Sequence, residues 1–464
     1  MRMIKGNIRI LEGLWQDIRK SLLKDKNNES ALFITAKYYK TSDKVILLGE
    51  GLIEITDTDY LYRSPYHLEV SPLYVNKTIT IAEGKKSTII MAHSHPFEEH
   101  KPSYSHSDDY GEAKTAETIS SCLENHPPVG SILIGKRSAN SRIWIDNKTP
   151  VPSYITVLGR NRIRFLNLRL EKLKKNEVRI FDRQLKILNE KEQKLIKNLK
   201  IGIIGLGGTG SIVAEQLVRM GAENLILVDH DTFEDSNLTR MYGTKKSDLG
   251  KKTFKVELIR RHLLEINPRI NCEIIKESIC KRDVLAFLSQ CDFIFSCVDR
   301  QAPRAVLNEL SYQCFIPVID VGVGVDKIEG EIIRGNIRAS VIGPNFPCYF
   351  CQGIITPEAI TAEHLTPEEY SRRRKEHYVP DIGLATPSII SYTSMAGSLG
   401  VILFLSLLSK YKNKRLSPTV LLPIDFSLSV NADQILRMSP KIKSECVCNK
   451  RLGRGLDIPF NVAD

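Results

Sequence analysis

The feature that most narrows the fold is a strand, a glycine turn and a helix in immediate succession between Lys200 and Gly221. KIGIIG, starting at Lys200, is an apolar run of the length expected for a fully buried strand. GGTGSIVAEQLVRMG reads as a helix closed by Gly221, and NLILVDHD supplies the next strand. A strand–helix–strand unit in this order places its strands parallel and opens a doubly wound sheet. Lys255–Ile266 continues the pattern as a helix stopped at Asn267-Pro268, with CDFIFSCVD and FIPVIDVGV as further strands. The expected fold class is α/β, with a Rossmann-like doubly wound domain over residues 181–464.

The 464 residues leave room for more than this, since domains usually take about 100–200 residues each. Upstream, strand-like runs at Ala31–Ala36, Lys44–Leu48, Ser87–Ala92, Gly130–Ile134 and Arg142–Ile145 surround one helix-like stretch, Asp108–Ser121. That order predicts an α+β domain over residues 1–157. Residues 158–180 read as a basic linker, within a Lys- and Arg-rich stretch from Asn161 to Lys200. The stretch is either a basic surface for an anionic partner or a solvated amphipathic helix joining two domains.

Composition excludes a disordered chain: 42% of residues are apolar and 26% charged, as in ordinary globular proteins. The net charge of +12 fits nucleic acid, an anionic membrane or an acidic protein, and does not choose among them. No run reaches the ~18 apolar residues of a spanning helix; the longest candidate, Met395–Leu408, is interrupted by Gly397, Ser398 and Gly400. A cytoplasmic protein without membrane partners is expected, its ten cysteines mostly reduced thiols or metal ligands.

The first chemical constellation is MAHSHPFEEHKPSYSHSDD. His93 and His95 close an apolar strand, and a two-residue spacing puts both imidazoles on one face. Two neutral imidazoles and a carboxylate make a common catalytic zinc shell with a fourth position for water. Asp108, at the start of the predicted helix, completes such a shell; the bland alternative is a polar loop with two histidines that bind nothing. His93-Ser94-His95-Pro96 and Ser105-His106-Ser107-Asp108, with Glu29 upstream in NNESALFITA, resemble the JAMM (JAB/MPN) metalloprotease family. The resemblance implies zinc on His93, His95 and Asp108, Glu29 as general base on the zinc-bound water, and Ser105 supporting the oxyanion. Glu50 in LLGEG is a rival base, and His100 and His106 lie outside the motif.

The second constellation begins with Gly205-Leu206-Gly207-Gly208-Thr209-Gly210, where backbone amides and a helix N-terminus face a phosphate. Alone it also fits a dinucleotide enzyme with Asp229 on a ribose. Downstream, however, stand Asp229-His230-Asp231, Asn237 and Arg240 in SNLTR, Lys255, and Asp299 at the tip of FIFSCVD. Cations for a triphosphate and a carboxylate for magnesium suit nucleotidyl transfer rather than hydride transfer.

These residues resemble the ThiF/MoeB and ubiquitin-activating adenylyltransferases. The resemblance implies ATP and Mg²⁺, with Gly205, Gly207, Gly208, Gly210, Asp229, Asp231, Asn237, Arg240 and Lys255 at the nucleotide and Asp299 on magnesium. Lys251 or Lys252 share the phosphate role in one alternative. Arg183 in RIFDRQ looks like the arginine that the family donates to a neighbouring subunit, which implies a homodimer. The implied partner is a ubiquitin-like or sulfur-carrier protein ending in Gly-Gly, with a conjugating enzyme as a further partner and nucleic acid not expected. The segment KEHYVPDIGLATPSII, where thioester-forming members carry a cysteine, has none.

Cys348-x-x-Cys351 and Cys446-x-Cys448 together offer four thiolates for a structural zinc ion. Two unliganded reduced pairs are the alternative. Cys122, Cys272, Cys280, Cys291, Cys297 and Cys314 read as buried structural thiols. Three functions follow: a bifunctional enzyme that adenylates a ubiquitin-like protein and cleaves it with the JAMM-like domain; a sulfur-carrier adenylyltransferase in cofactor or cysteine biosynthesis, where no internal cysteine is needed; and a scaffold with one inactive site.

Overall fold

The computed structural model describes residues 5–41, 43–145, 149–328, 331–376, 388–409, 419–424, 436–438, 440–456 and 460. It divides into two compact units, Met1–Arg169 with Gln313–Phe315 and Gly453–Ile458, and the remainder from Leu170 onward.

Unit 1 runs β1 (Lys5–Leu11), α1 (Glu12–Leu22), β2 (Ala31–Lys40), β3 (Lys44–Ile53), β4 (Tyr60–Arg63), β5 (Leu68–Val70) and α2 (Pro72–Gly84). It continues with β6 (Thr88–Ser94), α3 (His106–Cys122), β7 (Val129–Ile134), β8 (Ala139–Trp144), β9 (Pro150–Leu158) and β10 (Ile163–Leu166). Eight strands form one sheet in the order β1-β3-β2-β6-β7-β8-β9-β10, and β1 also pairs with β9, so the order closes on itself. Alternation along β6 divides the core: Ile90 and Ala92 join Trp15, Ile18 and Leu22 of α1, while Ile89 and Met91 join Tyr74, Val75 and Ile79 of α2 and Ala116 and Ile119 of α3. Each helix on the second face starts on a serine cap: Ser71 accepts from the Tyr74 amide ahead of Pro72, and Ser105 from that of Asp108.

The structure departs from the sequence expectation in several places. It adds β1, α1, α2 and β9, and it makes Ile163–Leu166 a strand where a linker was expected, because Ile163 and Phe165 alternate inward among arginines. The basic stretch beyond is not one helix but three short ones, α4 (Lys175–Ile180), α5 (Asp182–Leu185) and α6 (Glu190–Asn198), the last restarted by Asn189 as its cap.

Unit 2 then follows β11 (Lys200–Ile204), α7 (Gly208–Arg219), β12 (Asn224–Val228), α8 (Lys255–Ile266), β13 (Asn271–Ile275), α9 (Arg282–Leu288), β14 (Phe293–Ser296) and α10 (Gln301–Cys314). Then come β15 (Val318–Ile328), β16 (Glu331–Ile342), α11 (Pro357–Glu363), α12 (Pro367–Lys375), α13 (Ile390–Leu408), β17 (Thr419–Ile424), β18 (Leu436–Met438) and α14 (Val447–Arg451). The sheet order is β13-β12-β11-β14-β15-β16-β17-β18. β13 to β15 are parallel, and β16 to β18 extend the sheet antiparallel. The strand order reverses between β11 and β14, which opens a crevice at their carboxyl ends.

α13 corrects the hydropathy reading. It is a 19-residue helix long and apolar enough to cross a membrane, with half of its apolar window buried in the protein. Counting consecutive apolar residues missed it because the helix runs through Ser398 and two glycines. At Gly397 and Gly400 an added Cβ would strike Ile212 of α7 and Val321 of β15, so glycine here allows close helix–sheet approach.

Candidate functional site

In unit 1 the register of two strands builds the first site. β2 and β6 are antiparallel with Ala31 opposite His93, and the Ser30–Ser94 pair continues the ladder. Extended by one residue, this sets Glu29 against His95: Glu29 Oε1 lies 3.4 Å from His95 Nε2. His93 and His95 continue the face of Ile89 and Met91, which α3 covers. Asp108, the third residue of α3, reaches both, at 3.4 Å from His93 Nε2 and 3.5 Å from His95 Nε2. His93, His95 and Asp108 each offer a ligand atom within 4.8 Å of the others.

Burial pushes the Glu29 carboxyl up, against the two histidines. Burial also opposes the Asp108 carboxylate, but the imidazoles of His93 and His95 beside it hold its pKa far below the usual range. The Ser105 hydroxyl caps α3 and donates to Asp108 Oδ2 at 2.8 Å, which orients the carboxylate. Glu50 bonds Ser87 at the opposite end of β6, and His100 and His106 are exposed.

In unit 2 the glycine turn sits at the crevice. Gly205 has φ +84°, and a Cβ there would lie 2.8 Å from the Cys297 carbonyl oxygen beyond β14. A Cβ on Gly210 would collide with the Gly205 carbonyl. Gly207 caps α7 and Gly208 begins it, so the helix N-terminus opens onto the crevice and favours an anion. Asp229, at the end of β12, accepts from the Leu206 amide at 2.6 Å and the Asp231 amide at 2.9 Å. Burial nevertheless raises its pKa.

Lys255, the first residue of α8, bonds Asp231 Oδ2 at 2.7 Å. Burial opposes the Asp231 carboxylate, yet the Lys255 hydrogen bond brings its pKa below the usual value. Asn237 is buried, and its side-chain oxygen accepts from the Glu234 amide at 3.2 Å, closing the turn that presents Arg240. Asp299 and Lys251 and Lys252 are exposed. Arg183 is exposed on α5. That segment packs on the far end of α7, where Gln184 bonds the Met220 carbonyl. The helix length of about 18 Å, at ~1.5 Å per residue, separates it from the glycine turn of its own chain.

A network that sequence reasoning missed holds the crevice wall. Arg304 of α10 donates to the Val298 and Asp299 carbonyls and to Asp320 Oδ1 at 2.5, 3.2 and 3.0 Å. Arg338 meets the other Asp320 oxygen at 2.7 Å, and Tyr349 and Ser296 hydroxyls complete the shell. Arg300 adds a cation that acts on Asp231. None of these follows a local motif; the pairs are 16 and 18 residues apart, from α10 and from β16 to β15.

The four paired cysteines converge on one point, each with a sulfur within 4.8 Å of the others. Cys348 and Cys446 sulfurs are 3.4 Å apart, and amides of Cys351 and Lys443 point at Cys348 and Cys351 sulfurs. Three of the four are buried, a closed arrangement that suits a tetrahedral thiolate ion site. Of the remaining cysteines, Cys272, Cys291 and Cys314 are buried, but Cys122 is exposed at the last turn of α3 and Cys280 and Cys297 are half-buried. Burial pushes the Cys297 thiol well up, away from thiolate chemistry. Most of KEHYVPDIGLATPSII lies outside the described residues.

A family model described as the ThiF family matches residues 181–446. The chain belongs to the ThiF family. The match contains the glycine turn, Asp229, Lys255, Asp299 and three of the four clustered cysteines, with Cys448 just beyond its end, while the histidine site lies before it. This ThiF-family chain is 32% identical over 161 residues to a molybdopterin-synthase adenylyltransferase of Escherichia coli, covering 34% of this chain and 60% of that protein. It is 30% identical over 158 residues to ubiquitin-like modifier-activating enzyme 5 of Caenorhabditis elegans, covering 32% and 36%. Against the adenylyltransferase and sulfurtransferase UBA4 of Meyerozyma guilliermondii identity is 27% over 156 residues, covering 34% of each. The ThiF-family chain thus spans 60% or less of the length of these relatives. Among solved structures, Escherichia coli MccB with AMPCPP and MccA has a TM-score of 0.46 and 20% identity, covering 60% of this chain and 75% of that one.

Proposed function

We propose that this ThiF-family protein adenylates the C-terminal glycine carboxylate of a small carrier protein, with a sulfur carrier favoured over a conjugated ubiquitin-like protein. The observation that carries the reading is the glycine turn, Asp229 and Lys255 assembled at one crevice within the family match. Relatives named for molybdopterin synthase and for sulfur transfer support the sulfur-carrier branch, as does the lack of a cysteine in the segment after Lys375. A carboxylate oxygen of the carrier attacks the α-phosphorus of ATP, the bond from that phosphorus to the oxygen bridging to the β-phosphorus breaks, and pyrophosphate leaves. Asp229 holds the ribose hydroxyls, while Asn237, Arg240 and Lys255 hold phosphates. Bound to Asp299, Mg²⁺ would offset charge on the phosphates. Arg183 serves the site of a second copy, which suits its distance from the turn in its own chain.

A second reading concerns unit 1. His93 Nε2 is buried and makes no hydrogen bond, as expected of a ligand atom waiting for a metal. His93, His95 and Asp108 fit zinc in number and type, with Glu29 as the base beside them. Zinc would lower the pKa of a bound water and polarise a carbonyl. Such a site would cut or trim a carrier protein in the manner that the JAMM-like motif implies. The cysteine cluster would hold a second, structural zinc.

The test is ATP–pyrophosphate exchange with small proteins ending in Gly-Gly, comparing the wild type with Asp299→Ala. Exchange that needs the terminal glycine and vanishes in the variant is expected. ATP binding without exchange for any such protein would overturn the adenylation reading.

A further inference from the structure

Both histidines of unit 1 have a carboxylate behind them as well as one in front, hydrogen-bonded at His95 and at ion-pair distance at His93. His95 Nδ1 lies 3.2 Å from Glu98 Oε1, and His93 Nδ1 lies 3.6 Å from Glu112 Oε1. Their Nε2 atoms face Asp108. Asp108 and Glu112 are four residues apart on α3 and so share one helix face. A single helix therefore sets one carboxylate at each nitrogen of His93.

Glu112 is no incidental neighbour. It is 8% exposed, and its Oε1 accepts from the Ser131 hydroxyl at 2.6 Å. Its Oε2 accepts from Arg142 Nε at 2.8 Å and from Trp144 Nε1 at 3.4 Å, and Arg142 Nη2 lies 2.7 Å away as an ion pair. Arg142 is in turn stacked on Tyr104, its guanidinium 3.7 Å from the ring centroid. Burying a carboxylate is costly unless it is paired. Here it is paired by side chains of two strands, β7 and β8, and lies beside an imidazole.

We infer that Glu112 is a positioning residue that holds the proton of His93 on Nδ1 and so commits Nε2 to a metal ion, with Glu98 acting likewise on His95. An imidazole has one lone pair to give when neutral, and the partner of one nitrogen decides which nitrogen gives it. Carboxylates behind metal-bound histidines orient the ring and raise its basicity, and their loss weakens metal binding. Glu98 is the weaker brace, since its side chain is 37% exposed. This inference rests on the zinc reading of unit 1, and nothing in it depends on adenylation.

The test is zinc affinity of the full chain, measured by competition with a chromophoric chelator, together with the visible spectrum of the cobalt-loaded protein. His93→Ala provides the count of zinc held elsewhere. Glu112→Gln is expected to weaken the His93-dependent zinc by about 10–100-fold and to alter the cobalt spectrum, with a smaller loss in Glu98→Gln. Should Glu112→Gln fail to fold, Arg142→Lys, which loosens Glu112 without touching His93, is expected to weaken zinc in the same direction by a smaller factor. Wild-type zinc affinity in a folded Glu112→Gln, or in Arg142→Lys where that variant stands in, overturns the positioning role and leaves the zinc reading intact. Equal zinc content in wild type and His93→Ala overturns both.

Discussion

Asp320→Asn keeps the side-chain shape and removes the charge that two arginines share. Asp320 is 0% exposed and accepts from Arg304 Nε at 3.0 Å, Arg338 Nη2 at 2.7 Å, Tyr349 at 3.1 Å and Ser296 at 3.0 Å. Breaking a buried ion pair by removing one partner costs about 3–5 kcal/mol. The asparagine oxygen still accepts one bond, and Arg338 is 20% exposed, which places the cost near the lower end, about 3 kcal/mol. At ~2–4 °C per kcal/mol for a domain of this size, unit 2 is expected to melt about 6–12 °C lower.

The sign of the pH dependence follows from the carboxyl. Burial raises its pKa, but Arg304 and Arg338 outweigh burial and depress it. A depressed carboxyl stabilises above its unfolded pKa of about 4 and loses that contribution as pH falls below it. The gap between wild type and Asp320→Asn, followed by scanning calorimetry, is therefore widest at pH 7 and narrows toward pH 3. Arg304 also ties the Val298 and Asp299 carbonyls, so weaker ATP binding is expected alongside. A melting shift below about 2 °C at pH 7, or a gap that ignores pH, refutes the account, because the buried charges would then be stable without each other.

Two further perturbations probe unit 2. Asp248 is held at about 2 by hydrogen bonds from Arg261, whose side chain is 37% exposed; the shift from 3.8 would be worth ~2.4 kcal/mol, which solvent screening reduces to about 1 kcal/mol. Asp248→Asn should therefore lose about 1 kcal/mol in urea unfolding at pH 6 and progressively less toward pH 3, since a depressed carboxyl ceases to stabilise as it protonates. Gly205→Ala forces an alanine to φ +84° against the Cys297 carbonyl, costing about 1–2 kcal/mol in the turn. Calorimetric ATP titration should show at least a tenfold weaker Kd, and unaltered binding would separate the turn from the nucleotide.

What was legible in the sequence was local. β11, α7, β12 and α8 carry their own periodicity, glycines and stop signals, and α8 spans Lys255–Ile266 as read. α1 carries a plain stripe, Trp15, Ile18 and Leu22 at i, i+3 and i+7, that the sequence reading passed over, whereas Tyr74, Val75 and Ile79 of α2 lie among threonines and apolar neighbours that blur the stripe. The approach of Glu29 to His95 depends on the β2–β6 register, which only a family motif announces in advance. Glu112, Arg304 and Arg338 carry no motif at all, since their partners come from other elements. Cys122 shows the converse: a thiol in an apolar-looking sequence context ended on the solvent side of the last helical turn.

The double pairing of β1 sets an order of events as the chain is made. β1 meets β3 from Lys5↔Lys44 to Arg9↔Leu48 soon after synthesis, but its other edge waits for Gly6↔Ser153 through Leu11↔Leu158. At ~5–20 residues per second that wait lasts roughly 7–30 s. For that interval β1 offers an unpaired edge to any passing chain, and non-local closures of this kind are slow to form. Fusion or truncation points chosen before Leu158 would make the delay permanent, turning a passing exposure during translation into a standing route to aggregation.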